Sequence, residues 1–180
     1  MLAYWVAAMV ANGLAIAPNP PPAAPAPVAP QPSCMAPEHR QFDFWVGKWD
    51  VYPTGKNKLV AHSLIESVYN GCGVRENWMP LNNQTGGSLN VYVPEKKHWE
   101  QFWIDSGASR ALFIGGWNGK AMVIQGEWGG PLVRITYSKN PDGSVRQFGE
   151  QSTDRGRTWA PSFDLTYRPA ATAAAPGEKG

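Results

Sequence analysis

Phe42-Asp43-Phe44-Trp45-Val46-Gly47-Lys48-Trp49-Asp50-Val51 is the stretch on which the fold of this chain depends. It places two Phe and two Trp within eight residues, and a Gly-x-Trp ends the group. Gly lets the backbone approach a neighbour closely. Trp brings the largest apolar side chain, with an N–H that needs a partner. We therefore expect residues 42–51, the aromatic plug, to be the part around which the downstream strands fold.

Both ends of the 180-residue chain differ in composition from its middle. Residues 42–167 hold eight of the nine Trp residues, and a segment of this size suits one domain with a single core. We expect a signal peptide or short anchor, a Pro/Ala-rich spacer, one β-barrel domain and a disordered tail, at residues 1–17, 18–33, 34–167 and 168–180.

The beginning of the chain resembles an export signal. Residues 2–17 form an apolar run that ends in Ala15-Ile16-Ala17, a small-x-small cleavage pattern. The run is short for a spanning helix, which needs roughly 20 residues. It has no Lys or Arg before it, so a retained anchor stays the alternative. The Pro/Ala tract that follows predicts an extended spacer. We expect a periplasmic or secreted bacterial protein with no membrane span after processing.

The middle of the chain alternates short apolar-aromatic runs with turn signals such as Asn118-Gly119 and Asp142-Gly143, which favour tight hairpins. This spacing predicts an all-β antiparallel meander, which most simply closes into a barrel and so loses its exposed edges. A two-sheet sandwich is the alternative. The expected strands are residues 45–53, 60–69, 73–79, 87–93, 98–105, 110–116, 120–127, 131–138, 144–152 and 159–167.

Cys34 and Cys72 are the only two cysteines of the chain. In an oxidising compartment a pair of cysteines indicates one disulfide, here between the segment before the aromatic plug and an early hairpin. The competing interpretation is a lipid-modified Cys34, but Gln31-Pro32-Ser33 lacks the Leu and small residues expected before such a cysteine.

Residues 152–159, Ser-Thr-Asp-Arg-Gly-Arg-Thr-Trp, match the Asp-box pattern S-x-D-x-G-x-T-W. The Ser and Asp of such a turn bond to its amides, and its Trp packs beneath the hairpin. In sialidase-like propellers the motif recurs once per blade and is structural. A single copy in a short domain predicts a hairpin clasp before the last strand, with no catalytic role for Asp154.

Alternate side chains of a strand share one face, so the strand pattern suggests which side chains meet inside a barrel. Ligand sites combine apolar walls with a few polar groups. The candidate ligand-binding set is Glu66, Glu76, Trp78, Trp99, Gln101, Trp103, Asp105, Arg134 and Glu150. The alternative is that the carboxylates pair on the outer surface with Arg75, Arg134 or Arg146.

Motifs that would assign a reaction or a cofactor are missing from the sequence. There is no G-x-S-x-G nucleophile elbow, and His39, His62 and His98 lack the spacing of a zinc site. Either His62 or His98 could hold haem iron, but a surface or strand-packing role is the favoured interpretation for each. We therefore expect no metal and no cofactor. The basic residues of this +2 chain are scattered, which argues against nucleic acid.

The whole domain resembles an uncharacterised family of secreted bacterial domains, the DUF1579-like family. The resemblance is carried by FDFWVGKWDV at residues 42–51, by Glu76-Asn77-Trp78 and by the segments 87–92, 99–105, 142–147 and 152–167. It leaves out the leader, the spacer and the Ala-rich tail.

More distantly, Gly47-Lys48-Trp49 is similar to the Gly-x-Trp on the first strand of lipocalins and their calycin relatives. That resemblance implies an antiparallel barrel holding a small, often apolar ligand. It also suggests that Arg168, placed just after the last strand, caps the first-strand Trp49. Ten strands are closer to fatty-acid-binding and nitrobindin-like barrels, but haem binding of the nitrobindin kind needs a late His, and none follows His98.

Three functions remain open from the sequence. The first is a barrel that binds an unidentified small molecule, with Trp49 packing its closed end. The second is a hydrolase- or isomerase-type enzyme using interior carboxylates such as Glu66, Glu76 or Glu150. The third is an envelope-associated protein-interaction domain, which predicts a filled interior and a contiguous exposed apolar patch.

Overall fold

The computed structural model describes residues 34–171. Two short 3-10 helices, Pro37–Arg40 and Asp43–Trp45, precede ten strands. The strands are β1 Gly47–Pro53, β2 Ala61–Val68, β3 Gly73–Pro80, β4 Gly86–Val93, β5 His98–Asp105, β6 Arg110–Trp117, β7 Met122–Glu127, β8 Leu132–Lys139, β9 Val145–Ser152 and β10 Ala160–Pro169.

The ten strands form one closed antiparallel barrel. Each strand pairs with its neighbours in sequence, and β1 pairs with β10, for example at Val51 opposite Tyr167, to complete the ring. The predicted meander barrel is therefore confirmed and the sandwich is excluded. Because the strands run up and down in turn, the loops 54–60, 81–85, 106–109, 128–131 and 153–159 share one end of the barrel, the open end.

The strands bury an unusual mixture of side chains. On β5 the inward Gln101 is 3% exposed, whereas the outward Phe102 is 44% exposed. Phe102 lies opposite Leu89 on β4 and Leu112 on β6, so the outer face of β4–β6 carries neighbouring exposed apolar side chains. Amphipathic alternation alone would therefore place the wrong side of β5 inside.

The aromatic plug fills the end of the barrel opposite the open end, which we name the closed end. Trp45 is fully buried; its ring stacks on Phe42 at 4.9 Å and lies 4.8 Å from Tyr137, measured between ring centroids. The indole N–H of Trp49 donates to the carbonyl of Trp45 at 2.9 Å. At Gly47 a Cβ would lie 3.1 Å from the Trp49 ring, so a larger residue would require this ring to shift. The expected plug is confirmed.

A disulfide joins Cys34 to Cys72, with Cα atoms 4.9 Å apart, as predicted. It ties the segment before the plug to the β2–β3 loop at the closed end. The guanidinium of Arg40 also donates to the carbonyl of Gly71 in this loop. Two independent links therefore hold the N-terminal segment of the domain against the barrel.

The Asp box forms the predicted hairpin clasp before β10. The Asp154 carboxylate accepts from the Thr158 amide at 2.9 Å and the Thr158 hydroxyl at 2.6 Å, and the Ser152 hydroxyl donates to it at 2.7 Å. These hydrogen bonds, led by that from the Thr158 side chain, lower the pKa of Asp154 to about 2. The Trp159 indole donates to the carbonyl of Gly156 at 3.1 Å. Both oxygens of the Asp154 carboxylate accept hydrogen bonds from residues of the turn, which fits a structural role.

The expected Arg168 cap is wrong. Strand β10 continues to Pro169, two residues beyond the expected end, and Arg168 follows the inward Tyr167, so it lies on the outer face. Its guanidinium lies 4.4 Å from the ring centroid of Tyr52. The Trp49 N–H that such a cap would have approached is already bonded to Trp45.

The predicted leader and spacer, residues 1–17 and 18–33, lie outside the described residues, as does the tail from residue 172 onward. Within residues 34–171, no helix has the length and apolar character needed to cross a membrane.

Candidate functional site

A cavity of about 210 Å³ lies inside the barrel between the aromatic plug and the open end. A second space of about 530 Å³, the mouth, is lined by residues of the open-end loops, and the two share Trp78, Trp103 and Trp128. The cavity is lined by Glu76, Trp78, Gln101, Trp103, Phe113, Trp128, Ile135, Tyr137, Gln147, Phe163, Leu165 and Tyr167. These residues come from β3, β5, β6, β8, β9 and β10 and from the β7–β8 turn.

Three tryptophans separate the cavity from the mouth. Trp103 and Trp128 meet edge to face, with ring centroids 6.1 Å apart. Their indole N–H groups are both fixed on the β5–β6 hairpin, because Trp128 donates to the Ser109 hydroxyl at 2.8 Å and Trp103 to Asp105 at 3.4 Å. Trp78, the third tryptophan, lies 6.2 Å from Tyr167, measured between ring centroids. The apolar faces of these rings therefore stay available to contact a molecule that passes between the mouth and the cavity.

Phe163 owes its place in the cavity wall to a glycine. A Cβ at Gly149 on β9 would lie 2.2 Å from the Phe163 ring, so only Gly lets this ring lie flat on the neighbouring strand. A glycine thus positions an aromatic ring at the open end, as Gly47 does at the closed end.

The floor of the cavity is a network of uncharged polar side chains. The Gln101 amide donates to Asn90 at 2.7 Å and to the Tyr137 hydroxyl at 3.2 Å. The Gln147 amide donates to the same hydroxyl at 3.0 Å, and the Tyr167 hydroxyl donates to the Gln147 carbonyl at 2.8 Å. Such hydrogen-bonded networks fix the rotamers of their members, so the floor presents a defined polar surface.

Glu76 is the one acidic residue among those that line the cavity, and it is 4% exposed. The Ser88 hydroxyl donates to Oε2 at 3.1 Å, and the Tyr167 hydroxyl lies 3.4 Å from Oε1. None of the ion pairs within residues 34–171 includes Glu76. Burial raises the pKa of this carboxyl to about 7, although the hydrogen bonds from Ser88 and Tyr167 act in the opposite direction. Glu76 therefore changes charge in the neutral range.

The two floor tyrosines stay protonated. Burial, and next the charge of Glu76, raises the pKa of Tyr137 and of Tyr167 above the ordinary value. Each phenol is thus a neutral hydrogen-bonding group at any physiological pH.

Five of the predicted site residues lie at the cavity or its mouth. Glu76, Trp78, Gln101 and Trp103 line the cavity, and Asp105 lines the mouth. The Asp105 carboxylate accepts from the Gly107 amide at 2.9 Å and also shapes the β5–β6 turn.

The structure places the other four predicted site residues elsewhere. Trp99 is inside the barrel but packs edge to face on Phe42 of the plug, with centroids 5.7 Å apart. On the outer face, Glu66 pairs with Arg75 at 2.6 Å and Glu150 with Arg134 at 2.9 Å, as the alternative interpretation expected. Side chains along a strand alternate between its two faces. Ile65 points inward, so its neighbour Glu66 points outward.

Sequence reasoning missed most of the cavity wall on the later strands. Tyr137, Gln147 and Tyr167 complete the floor, and Trp128, Phe163 and Leu165 contribute to the wall. For Tyr137 a signal existed, since Val133, Ile135 and Tyr137 alternate with the arginine-bearing face of β8. No comparable pattern marks Trp128, which lies in a turn.

Within residues 34–171, the histidines and acidic residues do not form a metal centre. Among the described residues, no group of three or more His, Cys, Asp and Glu side chains is placed to share an ion. His62 pairs with Asp50 at 2.8 Å and His98 with Glu100 at 2.9 Å. Neither histidine is among the residues that line the cavity.

Comparison of the chain with protein-family models and with curated proteins found no match.

Proposed function

We propose that this chain is an exported barrel that binds a small molecule in the cavity beneath Trp78, Trp103 and Trp128. The observation that carries the proposal is the division of the interior into a packed end and an empty end. The empty end combines aromatic walls with a few fixed polar groups, the composition of small-molecule sites. The ligand stays unidentified under this proposal.

Export is supported by the disulfide. Disulfides such as Cys34–Cys72 persist in oxidising compartments, of which the periplasm is one. The signal-like residues 1–17 point the same way from the sequence. Membership of the DUF1579-like family stays a prediction from the motif at residues 42–51 and from the other segments that resemble it.

An acid–base enzyme is the second candidate, and one observation favours it. Glu76 lines the cavity with a pKa of about 7, close to that of an efficient general acid or base at neutral pH. The other carboxylates suggested from sequence for this role, Glu66 and Glu150, lie on the outer face in ion pairs. Any such enzyme would have to work with one interior carboxylate, as isomerases can.

The third candidate, a protein-interaction domain, predicted a filled interior and an exposed apolar patch. The patch is present on β4–β6, with Ile104 55% exposed. The interior, however, holds the cavity of about 210 Å³. The cavity favours small-molecule binding over this candidate.

Native mass spectrometry of the full chain, purified from the periplasm of an exporting host, tests the proposal. We expect a stoichiometric small molecule to co-purify. Ile135→Phe, which adds volume at the cavity wall, should abolish its retention. Ile114→Phe is the matched control, since Ile114 is on the outer face and 40% exposed. A co-purifying molecule that Ile135→Phe keeps, or repeated absence of any molecule, would contradict the proposal.

A further inference from the structure

We propose that the ligand carries a protonated amine, held against the Glu76 carboxylate, with its apolar body between Trp78, Trp103 and Trp128. This inference rests on the proposed small-molecule site and assigns its ligand class. Three features of the cavity carry it: its unpaired acid, its available acceptor atoms and its aromatic walls.

The charge balance of the cavity is incomplete. Glu76 lines it, and none of the other lining residues is Lys, Arg or His. A carboxylate taken out of water without a positive partner is costly, and a partner that arrives with the ligand relieves that cost. An anionic ligand would instead add a second uncompensated charge beside Glu76.

Hydrogen bonding selects the same class. The single hydroxyl proton of Tyr167 is directed to Gln147 at 2.8 Å, so Tyr167 makes only a 3.4 Å contact with Glu76 Oε1. The Gln101 amide has both N–H groups in use, while its carbonyl oxygen receives only a 3.5 Å contact from Tyr137. The Glu76 carboxylate and the Gln101 carbonyl therefore both offer acceptor sites to a ligand. An ammonium group is the complement, because it has three donors and no acceptor.

The walls suit a cationic ligand with an apolar body. Aromatic faces attract cations, most strongly at Trp and when water is excluded. The cavity of about 210 Å³ exceeds the roughly 150 Å³ that holds benzene in an engineered site. A primary amine with one ring or a short branched chain fits this volume. The mouth does not decide the charge, since it contains both Lys58 and Asp105.

Ionisation of Glu76 should appear in the pH dependence of binding. Ser63 from β2, Ser88 from β4, Gln101 from β5 and Gln147 from β9 do not titrate. The pKa values of Tyr137 from β8 and Tyr167 from β10 are raised by burial. Among these groups, only Glu76 changes charge near neutrality. Amine affinity should therefore rise as the pH is raised through about 7.

The test uses three matched probes on the full chain: 2-phenylethylamine, its neutral analogue 2-phenylethanol and the anion phenylacetate. Isothermal titration calorimetry should show the amine binding at least about tenfold more tightly than the alcohol at pH 8, with phenylacetate not bound. Glu76→Gln should abolish the difference between amine and alcohol. Glu66→Gln is the matched control, because Glu66 is an outer-face carboxylate, and it should keep the preference.

The outcomes separate this inference from the proposed function. An alcohol that binds as tightly as the amine, or a preference that survives Glu76→Gln, would overturn the amine class and leave the small-molecule site standing. If none of the three probes binds, the amine class is overturned, whereas the small-molecule site itself is decided by the native mass spectrometry described above. Should Glu76→Gln fail to fold, wild-type titrations at pH 6 and pH 8 decide. If the affinity for the amine is the same at pH 6 and at pH 8 while the alcohol also binds, the inference is refuted.

Discussion

At the closed end Trp45 is fully buried, and its ring lies within 5 Å of the rings of Phe42 and Tyr137. At the open end Trp103 and Trp128 have ring centroids 6.1 Å apart and border a cavity. The same residue type thus fills one end of the barrel and frames an empty space at the other. The difference lies in the plug, because residues 42–45 supply a second layer of rings at the closed end only.

The two ends of the barrel should contribute differently to stability and to ligand binding. Closed-end rings contact other rings on several sides, so their removal leaves a void that the barrel must tolerate. Open-end rings already border empty volume, so they have fewer contacts to lose. The closed end should therefore govern unfolding, and the open end should govern ligand affinity.

Trp45→Ala should have the largest effect. We expect a loss of about 3–5 kcal/mol in the free energy of unfolding, typical of a large buried aromatic. Trp78→Ala, at the open end, should cost under about 2 kcal/mol while weakening ligand binding. Urea denaturation of both variants measures the difference. Equal losses would show that the two ends do not differ as described.

Removing the closed-end disulfide comes next. Cys34→Ser with Cys72→Ser should lower the free energy of unfolding by about 3–4 kcal/mol, since the bond spans 38 residues and restricts the unfolded chain. Ligand affinity under native conditions should stay unchanged, because the cavity is at the other end. Mass spectrometry after alkylation without reductant provides the control. Wild-type protein should gain no alkyl group, and a gain of two would mean the bond is absent from that preparation.

Glu76→Gln should change how stability depends on pH. The folded-state pKa of Glu76 is raised from 4.5 to about 7, so between these values the unfolded chain releases a proton that the folded chain keeps. Wild-type stability should therefore fall as the pH rises, by about 3 kcal/mol across this window. The variant cannot titrate and should lack this slope.

Urea titrations of wild type and variant between about pH 4 and about pH 8 measure the slope. Glu66→Gln, on the outer face, is the matched control and should retain it. If wild-type stability instead rises with pH, a group outside the residues that line the cavity stabilises the charged form of the Glu76 carboxylate.

Breaking the outer-face pair Arg134–Glu150 should have the smallest effect. Its atoms are 2.9 Å apart, but both side chains are partly solvated, and such pairs contribute less than about 1 kcal/mol. Glu150→Gln should leave ligand affinity unchanged. A clear loss of affinity in calorimetry would return Glu150 to the ligand site that sequence reasoning assigned to it.

Much of the fold could be predicted from the sequence because its signals are local. Turn residues such as Asn118-Gly119 mark each strand boundary, and nearest-neighbour pairing follows from short connections. The last boundary was misplaced because Arg168 and Pro169 look like a tail in sequence. They pair with β1, and no local signal reports that long-range contact.

The candidate site could be predicted only in part, because inward and outward faces cannot be separated by polarity here. On β5 Gln101 is inside and Phe102 outside, the reverse of the usual pattern. Glu76 and Glu66 have the same chemistry, yet one is buried among tyrosines and the other pairs with Arg75. Only the register of the closed ring decides between them.

The pairing of Trp49 with Pro169 has a topological consequence, because it brings the two ends of the domain to the same rim. The domain begins near Cys34, and its last strand ends at Pro169. Both residues lie at the closed end. Neither terminus needs to cross the mouth. A circular permutant that joins these ends and opens the β7–β8 turn would therefore keep every strand pair while moving both termini next to Trp128.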